Sequence, residues 1–146
     1  MSSTIHTTMM PTQKIFELRL PPVTKRKLKS YCTTFEIPID DFELKTKDRF
    51  WIPAHYFIGM FRNIIPKLHE QYPEFPLKRI DSFYGSNGGT YENRFFIRES
   101  IVLKMQERTK LSPTKYLFQV EFSNEKTGKI FLSGMFSFIG TVHSGN

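Results

Sequence analysis

Pro53-Ala54-His55-Tyr56-Phe57-Ile58-Gly59-Met60-Phe61-Arg62-Asn63-Ile64-Ile65 decides how the rest of this chain must be arranged. Phe57, Phe61, Ile64, Ile65 and Leu68 form one stripe at helical spacing, and Tyr56, Ile58 and Met60 carry it further round the cylinder. A helix that is apolar over most of its circumference has to be surrounded by protein or by lipid. Arg62, Asn63 and Pro66 interrupt the run, and it is too short to span a bilayer. The wrapping therefore falls to the strands that follow. The expected class is α+β, with one buried central helix inside a curved antiparallel sheet.

Those strands are legible from their period. Ile101, Leu103 and Met105 alternate with Val102, Lys104 and Gln106, and Tyr116, Phe118, Val120 and Phe122 alternate with Leu117, Gln119, Glu121 and Ser123. Period two with one apolar face marks a half-buried strand. Ser112-Pro113-Thr114 breaks the chain between these two, and Ser123 to Gly128 is a polar turn in which Gly128 can take positive φ. The return segment Ile130 to Ile139 is apolar on both faces, which fits a central strand or one at a subunit interface. Gly134 within it suggests a bulge or a close backbone approach. Upstream, Leu77 to Tyr84 and Thr90 to Ile97 are further strand candidates, separated by the glycine loop Gly85-Ser86-Asn87-Gly88-Gly89.

The N-terminal part is less patterned. Residues 1–13 are polar and rich in Ser and Thr, and are expected to be a disordered tail before a single domain over residues 14–142. Lys14 to Leu20 alternates like a strand that Pro21-Pro22 ends. Thr24 is placed to cap a short helix running to about Phe35, with Val23 and Leu28 stapling its first turn. Ile37 to Trp51 reads as loop and short extended structure. Met1 to Met10 has neither the basic start nor the apolar run of a signal peptide.

Composition limits the chemistry. The 146 residues include 15 phenylalanines and one tryptophan, so the core is built largely from Phe. Cys32 is alone, which excludes an internal disulfide and a cysteine-based zinc site, and it is expected to be a small buried apolar side chain in a reducing, cytoplasmic setting. The net charge of +7 favours an anionic partner, and its densest group is Lys25, Arg26, Lys27 and Lys29. No nucleic-acid motif accompanies the charge and the aromatic residues follow core spacing, so nucleic acid is not the expected partner. The sequence has no phosphate loop, no His-Glu-x-x-His and no Gly-x-Ser-x-Gly, and no cofactor or metal is expected.

Few residues can carry a reaction. His6 and His143 lie in the expected tails, and His69, beside Glu70 on the polar end of the helix, is expected to face solvent. His55 lies in the first helical turn after Pro53, where free amides favour an anion or a polarised carbonyl, with Asp48 upstream to orient it. It is equally a histidine satisfied by hydrogen bonds at a helix start. Glu92, in Thr90-Tyr91-Glu92-Asn93-Arg94, is the other general acid or base candidate, or else an exposed carboxylate paired with Arg94.

The order of helix, glycine loop and wrapping strands resembles the hot-dog fold of acyl-thioester proteins. Gly88-Gly89-Thr90-Tyr91-Glu92-Asn93-Arg94-Phe95-Phe96-Ile97-Arg98-Glu99-Ser100-Ile101-Val102-Leu103 is similar to the strand-turn-strand of that family, although Phe96-Ile97-Arg98-Glu99-Ser100 lacks its usual Gly-Asp pair. Tyr116 to Phe122 and Ile130 to Ile139, joined by Asn124 to Gly128, resemble its closing hairpin. Val23-Thr24 and the helix carrying Leu28 and Tyr31 are similar to the opening of the MaoC-like branch of (R)-specific hydratases and dehydratases. The resemblance covers Phe16 to Val142.

It implies an acyl thioester on coenzyme A or acyl carrier protein, lying beside the helix in a homodimer or a hot-dog heterodimer. The polar head would meet His55 and Tyr56, the tail would follow Phe57 and Phe61, and the loop Asn87-Gly88-Gly89 would approach from the sheet. Lys25, Arg26, Lys27 and Lys29 would attract the carrier. The hydratase pattern Gly-Asp-x-Asn-Pro-x-x-His is missing, since Ile39-Asp40-Asp41-Phe42 has neither the Asn-Pro nor the His. A thioesterase acid would have to be Asp48 or Glu92. A non-catalytic subunit fits as well. Two other classes remain open: a cystatin-like or nuclear-transport-factor-like domain that binds or isomerises a small apolar molecule, and a basic interaction module for nucleic acid or an acidic partner.

Overall fold

The computed structural model describes residues 14–44, 49–52, 54–85 and 95–142. Strand β1 (Ile15–Leu20) leads to helix α1 (Lys25–Thr34), a 3₁₀ turn (Ile39–Phe42) and the short strands β2 (Glu43–Leu44) and β3 (Arg49–Ile52). Helices α2 (Ala54–Gly59) and α3 (Phe61–Gln71) follow, then strands β4 (Leu77–Gly85), β5 (Phe95–Phe96), β6 (Ile101–Ser112), β7 (Lys115–Asn124) and β8 (Ile130–Val142). The main sheet has the order β1-β6-β7-β8-β4, with every neighbouring pair antiparallel. A second sheet, β2-β3-β5, forms from the segments read as loop and from the end of the Thr90 to Ile97 strand.

The expected central helix is two helices. Met60 N donates to Phe57 O, and both Asn63 N and Ile64 N donate to Met60 O, so one tight turn at Met60 joins α2 to α3. Gly59, the poorest helix former in this stretch, lies at the joint. The apolar stripe survives the break. Phe57, Phe61, Ile64, Ile65 and Leu68 are all buried, and Phe57 packs on Phe131 and Phe122 while Phe61 packs on Phe138 and Phe136. Sheet residues Leu103, Met105, Phe118, Val120 and Phe122 complete this cluster. Wrapping is one-sided, however. Tyr56, Ile58 and Met60 are only half-buried, because the sheet covers the Phe57–Leu68 face and leaves the opposite flank to α1.

Side chains from α3 also finish the sheet. At its far end Tyr72 Oη accepts from Glu17 N and donates to Glu17 O, and Gln71 Nε2 donates to the same carbonyl, which occupies the outer edge of β1. At its start Arg62 donates to Asp81 O on β4. Strand β8 sits inside the sheet between β7 and β4, and this central place accounts for its apolar character. The ladder runs in unbroken register past Gly134, paired with Val120. A close approach comes at Gly140, where a Cβ would overlap the Arg79 carbonyl oxygen.

Thr24 caps α1 as expected, its Oγ1 accepting from Lys27 N, and Val23 and Leu28 are buried beneath it. Cys32 is buried as well. His69 is half-buried rather than facing solvent. The turn that lacks a Gly-Asp pair still forms. Arg98 takes φ 72°, a conformation normally left to glycine, while the Glu99 carboxylate accepts from Phe96 N and Arg98 N donates to Val23 O. The 1–13 tail, Asp48, Asn87-Gly88-Gly89, Glu92 and residues 90–94 of the strand candidate lie outside the described residues.

Candidate functional site

A groove of about 410 Å³ opens where α1 meets α2 and the start of α3. One wall is Tyr31 and Phe35 from α1, and the other is His55, Tyr56, Ile58 and Met60, with Gly59 and Asn63 completing it. Local sequence explains both walls. Leu28 and Cys32 form the buried stripe of α1, and Tyr31 and Phe35, one turn apart, flank that stripe. On α2, Phe57 points into the core, so His55, Tyr56 and Ile58 are left on the other side of the cylinder.

Tyr31 is the centre of the arrangement. Its ring lies 4.8 Å from Phe35, 4.9 Å from Tyr56 and 5.4 Å from His55, measured between centroids. Burial, and then the nearby Cys32 and Tyr56, push the Tyr31 phenol above its usual ionisation range, and burial does the same for Tyr56. Both are therefore neutral hydroxyl groups at physiological pH, able to donate to a carbonyl or phosphate oxygen. Burial, followed by Asp41, likewise raises the Cys32 thiol, which keeps it in its unreactive form.

The structure gathers some of the expected site residues and separates others. His55, which is exposed, and Tyr56 both line the groove. Phe57 and Phe61 do not line it. Both have 0% exposure and are packed against rings of β7 and β8, so an acyl tail cannot run between them without opening the core. Lys25, Arg26, Lys27 and Lys29 are exposed on α1. Asp48, Glu92, Asn87, Gly88 and Gly89 are outside the described residues, and among the described residues none that lines the groove is a carboxylate. Tyr31, Phe35, Ile58, Gly59, Met60 and Asn63 were missed as site residues. The signal available for Phe35 was its position four residues after Tyr31 on a helix otherwise read only for its charge.

Among the described residues no group of three His, Cys, Asp or Glu side chains is placed to hold a metal ion. No helix among them is long and apolar enough to cross a membrane.

No protein-family model and no curated protein matches the sequence. Solved structures do match in shape. The (R)-hydratase from A. caviae involved in PHA biosynthesis is similar with a TM-score of 0.61 over 90% of this chain and 97% of its own, at 6% identity. The monoamine oxidase regulatory protein from Archaeoglobus fulgius gives 0.61 over 92% and 93%, at 11% identity. The fluoroacetyl-CoA thioesterase FlK gives 0.51 over 89% and 87%, at 13% identity. At such identities the likeness concerns architecture alone. The chain has the hot-dog fold, with a curved antiparallel sheet wrapped round α2 and α3.

Proposed function

We propose that this protein binds an acyl thioester, carried on coenzyme A or acyl carrier protein, in the groove beside His55 and Tyr56. The observation that carries the reading is the hot-dog sheet laid round α2–α3 with an aromatic groove left open at the head of that helical pair. Apolar walls exclude water from a bound carbonyl, and the Tyr31 and Tyr56 hydroxyl groups supply donors within the same cleft. The basic residues of α1 lie beside it and suit an anionic carrier.

His55 is the candidate acid or base for hydration, dehydration or hydrolysis, with Asp48 and Glu92 as the candidate carboxylates to act with it. Binding and turnover of acyl-coenzyme A and acyl carrier protein by the wild type and by His55→Ala test this. Turnover by the wild type that falls at least about 100-fold in the variant supports an enzyme. Binding by both without turnover makes the protein a binding subunit. Failure of the wild type to bind either carrier at any chain length defeats the reading.

The same reading includes a homodimer or hot-dog heterodimer. Of the two edges of the main sheet, β1 is occupied at Glu17 by Tyr72 and Gln71; β4, which among the described residues takes a side-chain hydrogen bond from Arg62 at Asp81 O, is the edge that would accept another chain. Sedimentation at micromolar concentration should give twice the monomer mass for a homodimer. A monomer that dimerises only on adding a second hot-dog chain would favour the heterodimer.

A further inference from the structure

Phe35 is far more exposed than the half-buried tyrosines beside it in the groove. It is 60% accessible, a large area for a phenylalanine. Its position is nevertheless firmly held. Phe35 N donates to Tyr31 O, Glu36 N to Thr33 O and Ile37 N to Cys32 O, which closes α1 with the hydrogen-bond pattern of a Schellman motif. That closure puts Glu36 at φ 54°, where glycine is the usual residue. The chain thus accepts an unfavourable backbone conformation immediately after an exposed ring.

The cations of α1 are not equivalent. Lys27 lies one turn before Tyr31, on the stripe that continues to Phe35 and forms the groove wall. Lys25 and Lys29, also one turn apart, lie on the opposite flank, and the Lys25 ammonium is 4.9 Å from the centre of the Phe50 ring. Arg26 points outward between the two. Only Lys27 therefore continues the aromatic wall with a positive charge.

An aromatic cluster of this kind can recognise a cation, but the described residues that line the groove include no carboxylate and the stripe of its wall continues to Lys27, which favours an anionic ligand over a cationic one. An alkyl chain lying against Phe35 would keep much of its surface in water and gain little. A flat ring with polar edges needs only one covered face. Stacking on an exposed aromatic residue, a hydrogen bond from Asn63 and a phosphate beside Lys27 match such a ligand. The groove, of about 410 Å³, has room for a nucleoside at its Phe35 end.

We infer that the Phe35 end of the groove seats a purine nucleotide, with Phe35 as its stacking platform and Lys27 as its phosphate contact. This rests on the acyl-thioester reading in one respect: within it, the carrier is coenzyme A and not acyl carrier protein, because only coenzyme A brings a nucleotide.

The test is titration of the full chain with adenosine bisphosphate (the nucleotide of coenzyme A), with acyl-pantetheine (the arm that carries the thioester, without phosphate) and with acyl-coenzyme A. Adenosine bisphosphate should bind by itself and compete with acyl-coenzyme A. Phe35→Ala should weaken both by about 10-fold or more, and Phe35→Trp should restore them. Lys27→Glu should weaken both and flatten their salt dependence, whereas the same charge change at the exposed Lys126, in the turn between β7 and β8, should not. Phe35 is exposed, so these variants fold, and Phe35→Leu serves as a control that keeps apolar area without a ring. Wild-type affinity in Phe35→Leu overturns the inference. So does acyl-pantetheine binding as tightly as acyl-coenzyme A, which leaves the acyl-thioester reading standing. Acyl-coenzyme A that binds no more tightly than adenosine bisphosphate, with no binding of acyl-pantetheine, does the reverse: it upholds the nucleotide site and removes the acyl-thioester function.

Discussion

Two faces of the α2–α3 pair are made from interleaved residues and have opposite fates. Phe57 and Phe61 have 0% exposure and meet four rings of β7 and β8, whereas His55 is exposed and Tyr56, Ile58 and Met60 are half-buried against α1. The sheet-facing side is packed like a crystal of phenyl rings, with no room for a ligand. The side facing α1 is covered by one short helix, which leaves a cleft. Apolar character alone therefore does not tell core from site. What separates them is how completely the neighbouring element covers each face.

The largest expected effect lies on the packed face. Phe61→Ala should cost about 3–5 kcal/mol in denaturant unfolding, and His55→Ala, on the open face, less than about 0.5 kcal/mol. A Phe61 variant within about 1 kcal/mol of the wild type would erase the contrast. On the sheet that covers this face, Gly140→Ala should cost about 1–3 kcal/mol, because its methyl group would force the β8 backbone away from the Arg79 carbonyl. Thermal unfolding of the Ala variant beside a Gly140→Ser variant would check this, the larger side chain being the worse.

Smaller effects sharpen the open face. Glu36→Gly should stabilise the protein by about 0.5–1 kcal/mol, since glycine takes the φ of 54° without a Cβ penalty. The same change at Arg98, φ 72°, should have the same sign. A loss in either case would show that the native side chain contributes more than its strain costs. Last, Tyr31 and Tyr56 should ionise after the exposed tyrosines in an alkaline spectroscopic titration, because burial raises both above the ordinary value of 10.0. Their folded pKa values exceed the unfolded ones. Their contribution to stability is thus complete below about pH 10 and is lost as pH rises through the raised values. Simultaneous ionisation of all tyrosines in the folded protein would mean that the groove is open to water.

Much of the architecture was legible because it depends on local periodicity. Alternation in Ile101–Gln106 and Tyr116–Ser123 marked two strands and their buried faces, Ser112-Pro113-Thr114 and Asn124 to Gly128 marked their turns, and Thr24 marked the start of α1. The break at Met60 was harder to read, since the apolar stripe continues across it without a change of phase. Arg98 hid a turn that forms without the expected glycine, the Val23 carbonyl and the Glu99 carboxylate holding a conformation that the residue itself disfavours. Of the second sheet only β5, the end of the Thr90 to Ile97 candidate, was read as a strand, because the two residues of β2 and the four of β3 carry too little period.

The site was less accessible still. His55 and Tyr56 were identified from their place at a helix start, but Phe57 and Phe61 were expected to touch the same ligand and are sealed in the core. By itself, the sequence determined the helix with its phenylalanine stripe, the strands that must cover it and the positive charge of α1, because spacing and composition are properties of the chain. Tertiary structure alone decided which flank of the helix stays open, that Tyr31 and Phe35 form its other wall, and that Lys27 is the cation continuing it. Those outcomes depend on where α1 docks, and docking is set by the fit of two surfaces that no local pattern describes.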